Sequence, residues 1–230
     1  MSIALLELAA ESLGPIVDDV AFVGGATLVL WVDEPGAPDP RPTVDVDVVC
    51  DVATRSEYYA LGERLAGQGF FEAIDEPVVC RWRHRASKLV LDVMPTDPEI
   101  LGFANVWYAS GIAAAVATPL PSGRVIHAFD PPHLVATKLA AWNGRGRDDL
   151  LASTDAADVL ALVNGRSTLV AEIGSAPAEL RRFVSAEIGA LLEHRDVDYA
   201  ILDATREYES AQAEREQVVQ ERLGAIAAIA

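Results

Sequence analysis

The chain begins with apolar residues at helical spacing, Ile3 to Ser12. Gly14-Pro15 breaks the pattern before a short apolar run, Val20 to Val23, which ends in Gly24-Gly25. That run predicts a strand followed by a sharp turn. Ala26 to Val32 returns to helical spacing, and Pro35 to Pro42, with four prolines and a glycine, predicts an exposed loop. Thr43 to Val49 alternates as a strand does, and Thr54 to Gly67 places Tyr58, Leu61 and Leu65 on one stripe of an amphipathic helix. Val78 to Arg85 and Lys88 to Met94 predict a hairpin around Ala86-Ser87. A second hairpin, Ala113 to Leu120 and Arg124 to Phe129, turns at Pro121-Ser122-Gly123. From Pro131 the spacing is helical throughout, with helices predicted over 131–142, 154–163, 177–194 and 207–228 and breaks at Gly144, Gly146, Gly165 and Pro177. Strands confined to the first 130 residues and helices after them predict an α+β protein. Residues 1–130 would form a mixed β-sheet with helices on one face, and residues 131–230 a helical C-terminal half.

Composition narrows the class. With 51% hydrophobic residues and a mean hydropathy of +0.21, the 230-residue chain can bury a core, which excludes a disordered protein. Its apolar stretches fall short of the roughly 20 residues a membrane helix needs, and Met1 to Glu7 lacks the basic start and long apolar run of a signal peptide. The expectation is a cytoplasmic protein with no membrane partner. Cys50 and Cys80 sit in strand-like runs, as buried reduced thiols do, and offer neither a disulfide framework nor a zinc knuckle. The formal net charge of −17 argues against general coating of nucleic acid, but the charge is uneven. From Arg81 to Arg147 eight basic residues face four acidic ones, a local balance of +4 that suits selective phosphate binding.

The candidate chemistry lies in two strands. In Thr43-Val44-Asp45-Val46-Asp47-Val48-Val49 the period of two puts Val44, Val46 and Val48 on one face and Asp45 and Asp47 on the other. Their Cα atoms would stand about 6.5 to 7 Å apart, so the carboxylates can converge on metal ions roughly 3.5 to 4 Å apart. A polar strand face meeting water gives the same pattern. Lys88 to Met94 carries one acid, Asp92, in an apolar run, and such a residue must be hydrogen-bonded, paired or metal-bound. Beside Asp45 and Asp47, each carboxylate pair near 5 Å would repel by roughly 3 kcal/mol at an effective dielectric of 20, which divalent cations relieve. A hairpin loop of two or four residues instead places Arg81 opposite Asp92, turns Cys80, Trp82 and His84 into the core, and makes His84 structural. The strand, diglycine and helix start around Phe22 to Thr27 can bring backbone amides and a helix N-terminus to a phosphate, or can be only a tight turn.

Together these features resemble the nucleotidyltransferase superfamily that includes DNA polymerase beta: a diglycine, then Asp-hydrophobic-Asp, then a third Asp. More closely, the chain resembles the AbiEii/AbiGii nucleotidyltransferase-like toxins. The matching segments are Phe22 to Thr27, Arg41 to Val48, Arg81 to His84, Leu91 to Asp97, Ala136 to Leu139 and Ser153 to Asp158. The resemblance covers about residues 20 to 166. It implies a nucleotidyltransferase-like sheet, with the C-terminal half completing the active-site cleft. It also implies Mg2+-dependent (or Mn2+-dependent) transfer of a nucleotide from an NTP with release of pyrophosphate. The acceptor would be RNA, the tRNA 3′ end, and the partner a cognate antitoxin. On the matching positions, Gly24 and Gly25 would hold the triphosphate, Asp45 and Asp47 the metals, and Asp92 a metal and the attacking hydroxyl's proton. Lys138 and Asp155 match the family's downstream lysine and aspartate, and Thr27, Arg41 and Arg81 are assigned to substrate. Here Ala26 stands directly after the diglycine, where the family commonly has Ser or Thr.

The residues after 130 carry two readings each. Lys138 is a point charge for a β- or γ-phosphate or an exposed lysine, and Asp155 is a site acid or a helix N-cap with Asp158 at N3. Arg145 and Arg147, in Trp142 to Asp148, suit an RNA backbone or a solvated turn. The competing functions are transfer to a protein or small-molecule hydroxyl and a non-catalytic NTP-binding module.

Overall fold

The computed structural model describes residues 2–145, 147 and 149–229; Gly146 and Asp148, in the glycine-broken basic loop, lie outside them. The chain divides into two units, residues 1–30 with 41–130, and residues 31–40 with 131–230.

In chain order, the first unit contains α1 (Ser2–Leu13), a 3-10 segment (Gly14–Asp19), β1 (Val20–Val23), a second 3-10 segment (Gly25–Leu30), β2 (Asp45–Cys50) and α2 (Arg55–Gly67). There follow β3 (Phe70–Glu72), β4 (Arg81–His84), β5 (Val90–Pro95), α3 (Pro98–Leu101), α4 (Tyr108–Ala113), β6 (Val116–Pro119) and β7 (Val125–Ala128). The seven strands form one mixed sheet in the order β3-β4-β5-β2-β1-β7-β6. β2 pairs parallel with β5 and β1 parallel with β7, while the other neighbours are antiparallel. A parallel pair needs a crossover, and α2, β3 and β4 supply it between β2 and β5.

Central position explains why β1 and β5 are buried along their whole length and why their sequences are almost unbroken apolar runs. Phe22, Val46, Val48, Leu91 and Ile126 are fully buried, each contributing on the order of 1.5 to 3 kcal/mol of transfer free energy. α2 begins at a capping box: the Glu57 amide donates to Thr54 Oγ1 at 3.2 Å, and the Thr54 amide donates to Glu57 Oε2 at 3.0 Å. Its buried stripe is Tyr58, Leu61 and Leu65, as its spacing predicts.

Two local expectations are corrected. Val44 precedes β2 and is 80% exposed, so only Val46 and Val48 of the predicted apolar face face the core. Ala26 to Val32 is not an α-helix; a six-residue 3-10 segment follows the diglycine, too short to present an α-helical N-terminus to a phosphate. The short elements β3, α3 and α4 are too brief to show a period.

The second unit holds α5 (Pro131–Gly144), α6 (Thr154–Gly165), α7 (Leu169–Ser175), α8 (Ala178–Leu192), α9 (Val197–Thr205), a 3-10 segment (Arg206–Ala211) and α10 (Gln212–Ala227). α8 buries Leu180, Val184, Ile188 and Leu191 along one stripe, and α10 packs against it. Residues 31–40 join this unit because their backbone and acids are tied to it. The amides of Asp33 and Glu34 both donate to Gly165 O, at 2.9 and 3.0 Å. Glu34 bridges Arg215 at 3.1 Å and Arg222 at 2.8 Å, and Asp33 meets Arg166 at 2.6 Å. Arg222 also donates to the carbonyls of Val163 and Asn164, where the end of α6 leaves acceptors unmet. Among the described residues no helix is long and apolar enough to cross a membrane.

Candidate active site

β2 and β5 run parallel in a register that sets Asp45 beside Val90 and Asp47 beside Asp92. Because side chains alternate along a strand, Asp45, Asp47 and Asp92 share one face. Val46, Val48, Leu91 and Val93 point to the other, none more than 1% exposed. The strand alternation that suggested an acidic face therefore produces one, with the acid of the second strand in line.

β4 adds a cation to that face. It pairs antiparallel with β5 so that Arg81 lies opposite Asp92, with a four-residue loop, residues 85–88, between His84 and Leu89. Arg81 Nε and Nη2 donate to the two oxygens of Asp92 at 2.8 Å each, and Nη2 also donates to Asp45 Oδ2 at 2.9 Å. Nη1 reaches Glu76 Oε2 at 3.5 Å, and Arg83 Nε donates to Glu76 Oε1 at 2.5 Å. Asp92 above all holds the Arg81 guanidinium in its charged form, with Asp45 and Glu76 adding to it. Arg81, assigned from the resemblance to substrate, is thus engaged with carboxylates here. The same register buries Cys80 and Trp82. Burial, reinforced by the charges of Asp92 and Asp47, pushes the Cys80 thiol up to about 12. His84, expected in the core with Cys80 and Trp82, is only half-buried; it faces Ser87 Oγ at 2.7 Å and Gln68 O at 3.1 Å, contacts that hold the hairpin loop and the end of α2.

The diglycine bend reaches the acids by a route different from the one expected. Gly24 has φ +80°, and a Cβ built on it would lie 1.9 Å from Asp47 Oδ2 and 2.7 Å from its Cγ. The missing side chain is what lets the Asp47 carboxylate rest against the backbone. Thr27 closes the bend from inside: it is fully buried, and its amide and hydroxyl donate to Gly24 O at 3.2 and 2.9 Å. Thr27, assigned to substrate from the resemblance, has its hydroxyl engaged with Gly24 O here. Asp45 also accepts from Thr43 Oγ1 at 2.9 Å, and Arg41 lies half-buried in the loop before β2.

Hard carboxylate oxygens suit Mg2+ or Mn2+, and Asp45, Asp47 and Asp92 are the residues that would hold such an ion. Among the described residues no group of three His, Cys, Asp or Glu side chains is gathered as a ligand set, and Asp45 and Asp92 both accept from Arg81. The Arg81 guanidinium supplies positive charge among these neighbouring carboxylates.

In the second unit, Lys138 is buried, not exposed as a surface helix position would be. Its Nζ lies 2.7 Å from Asp158 and 3.3 Å from Asp155. Ser153, not Asp155, is the N-cap of α6, its hydroxyl accepting from the Ala156 amide at 3.2 Å, and Asp158 serves Lys138. Arg145 pairs with Asp155 and Arg147 with Glu187. Both arginines line a cavity of about 300 Å³ with Trp142, Ser153 and Thr154, and Arg147 lies 5.4 Å from the centre of the Trp142 ring. Two contributors escaped the sequence pattern. Glu76 lies in a loop with no periodic signal, and Asp158 reads as a helix-start charge until its lysine partner is placed. Compared with protein-family models and with curated proteins, the chain matches none.

Proposed function

We propose that the chain is a nucleotidyltransferase that moves a nucleotide from an NTP to an RNA acceptor, the tRNA 3′ end, and that it acts as the toxin of a toxin–antitoxin pair. The observation that carries this reading is the single face shared by Asp45, Asp47 and Asp92, with Asp47 seated against Gly24. The nucleotidyltransferase-like arrangement of the sheet, with helices on one face, belongs to the same proposal.

In the reaction a terminal hydroxyl oxygen forms a bond to the α-phosphorus, the bond from that phosphorus to the bridging oxygen breaks, and pyrophosphate leaves with the electron pair. Bound Mg2+ or Mn2+ would neutralise the triphosphate charge and favour the alkoxide form of the nucleophile. Asp45 and Asp47 hold negative charge at fixed spacing on β2, and Asp92 is the acceptor for the hydroxyl proton. Gly24 keeps a side chain out of the space beside Asp47, and Gly25 enters the proposal through the resemblance. The positive balance of the sequence from Arg81 to Arg147 is met in the fold by carboxylates, Arg81 by Asp92 and Asp45, Lys138 by Asp158 and Asp155, Arg145 by Asp155 and Arg147 by Glu187, so the RNA acceptor rests on the resemblance. Lys138 and Asp155 enter the proposal through the resemblance, as do Arg41, Arg145 and Arg147.

The test incubates the purified chain with each α-labelled NTP, Mg2+ and either total tRNA or total protein. Label in tRNA that is lost in Asp45→Ala supports the proposal. Label in protein alone rejects the RNA acceptor, NTP binding without transfer to any acceptor supports a sensing module, and full transfer by Asp45→Ala removes the acid face from the chemistry. Growth arrest on induction that disappears with Asp45→Ala tests the toxin role.

A further inference from the structure

The acid face brings three carboxylates and one guanidinium together, and the guanidinium lies between two of the groups that the proposed reaction assigns to a divalent ion. Nη2 of Arg81 serves Asp45 at 2.9 Å and Asp92 at 2.8 Å at the same time. An arginine cannot shed its charge by losing a proton in a protein, so it can leave these oxygens only by moving. A place to move to exists. Nη1 already faces Glu76 at 3.5 Å, and Glu76 is oriented by its second oxygen, which accepts from Arg83.

We propose that Arg81 is an internal counter-cation that closes the acid face in the ion-free protein, and that a divalent ion binds by displacing it from Asp45 and Asp92 onto Glu76. Arg81 is then a positioning residue that sets the affinity and selectivity of the site for divalent ions. This inference rests on the nucleotidyltransferase reading only for the ion's presence at these acids. Two physical consequences follow. Without the ion, Arg81 keeps the carboxylates from repelling one another, so it stabilises the fold. With the ion, the same contacts must be broken, so Arg81 weakens ion binding. An Arg81 that stayed in place would also weaken ion binding by repulsion, but its effect would not depend on Glu76.

Mn2+ titration of the nucleotide-free protein by calorimetry, with thermal melting in parallel, separates these effects. Arg81→Gln is expected to melt below the parent without metal and to bind Mn2+ at least about tenfold more tightly, or about 1.4 kcal/mol. Arg81→Lys, which keeps the charge, is expected to remain nearer the parent in affinity. Glu76→Gln removes the charge of the second seat and is expected to weaken Mn2+ binding in the parent more than in Arg81→Gln. Equal or weaker Mn2+ binding by Arg81→Gln overturns the inference, as does an equal effect of Glu76→Gln in both backgrounds. If Arg81→Gln does not fold, Arg81→Lys and Glu76→Gln decide: unchanged Mn2+ affinity in Glu76→Gln is then the overturning result. Absence of Mn2+ binding in every variant also overturns it. Labelled transfer by the parent chain is read separately, so transfer with no competition by Arg81 keeps the reaction and removes this role. Competition with no transfer does the reverse.

Discussion

Replacing Gly24 by alanine adds one methyl group, and the structure specifies where it would go. The new Cβ would fall 1.9 Å from Asp47 Oδ2 and 2.7 Å from Asp47 Cγ, so the carboxylate must retreat by about 1.5 Å to restore an ordinary contact. The backbone adds a second cost, because φ is +80° and an L-residue with a Cβ is disfavoured there by roughly 1 to 2 kcal/mol. Displacing Asp47 from a packed face adds a cost of similar size, giving a total of about 2 to 4 kcal/mol. For a chain of this length the melting temperature should fall by roughly 2 to 4 °C per kcal/mol, or about 4 to 16 °C. The same substitution at Gly189, inside α8 with open space at its Cβ position, should act in the opposite direction. There alanine stabilises the helix by about 0.5 to 1 kcal/mol. Thermal and urea unfolding of both variants measure the contrast. An Asp47→Ala background removes the two closest clashing atoms, so the cost of Gly24→Ala should shrink there by about 1 kcal/mol or more while the φ cost persists. Under the proposed function, nucleotide transfer by Gly24→Ala, assayed well below its melting point, should fall because the displaced carboxylate belongs to the face assigned to the reaction. Melting and transfer both at parental levels would show that the glycine bend does not confine Asp47, and the geometric argument would fail.

Other outcomes follow from single contacts. Arg222 foremost, with Arg215, holds the Glu34 carboxyl below its ordinary range. A carboxyl with a lowered folded pKa stabilises the fold above its unfolded value, about 4.5, and that contribution disappears as pH falls through the folded value. Glu34→Gln should therefore cost about 1 to 2 kcal/mol at pH 7, and urea unfolding should show the gap closing as the pH drops below about 4. Thr54→Ala removes the hydroxyl half of the capping box and should lower stability by about 1 kcal/mol in the same assay. Burial pushes both the Cys50 and Cys80 thiols up to about 12, so neither should react with a thiol reagent at pH 8 until denaturant is added, when both should titrate.

What could be read from the chain, and what could not, divides along a physical line. The acid face is legible because a strand's period is local: Asp45 and Asp47 fall on one side wherever the strand goes, and Asp92 falls on a defined side of its own strand. Tyr58, Leu61 and Leu65 are legible for the same reason, as is the boundary where strands give way to helices near Pro131. The state of the acids is another matter. Whether Asp92 meets an arginine depends on the parity of a hairpin loop, and Arg85 to Lys88 give no strong signal that the loop has four residues. One residue more would turn Arg81, Arg83 and Arg85 to the opposite face and leave Asp92 to find another partner. Glu76 reaches Arg81 from a loop, and Asp33 and Glu34 reach Arg166, Arg215 and Arg222 across more than 130 positions of chain, distances over which no periodicity carries information. The diglycine shows a third kind of limit. Its two residues announce a backbone that needs room, but not which neighbour requires it. The short 3-10 segment weakens the helix-terminus explanation, and the carboxylate of Asp47, pressed to within 1.9 Å of the missing Cβ, replaces it. Pattern thus locates the charged groups, while pairing decides which of them are available. On this face two of the three acids meet one guanidinium, and the proposed competition between Arg81 and a divalent ion for Asp45 and Asp92 would decide whether the acids can act together.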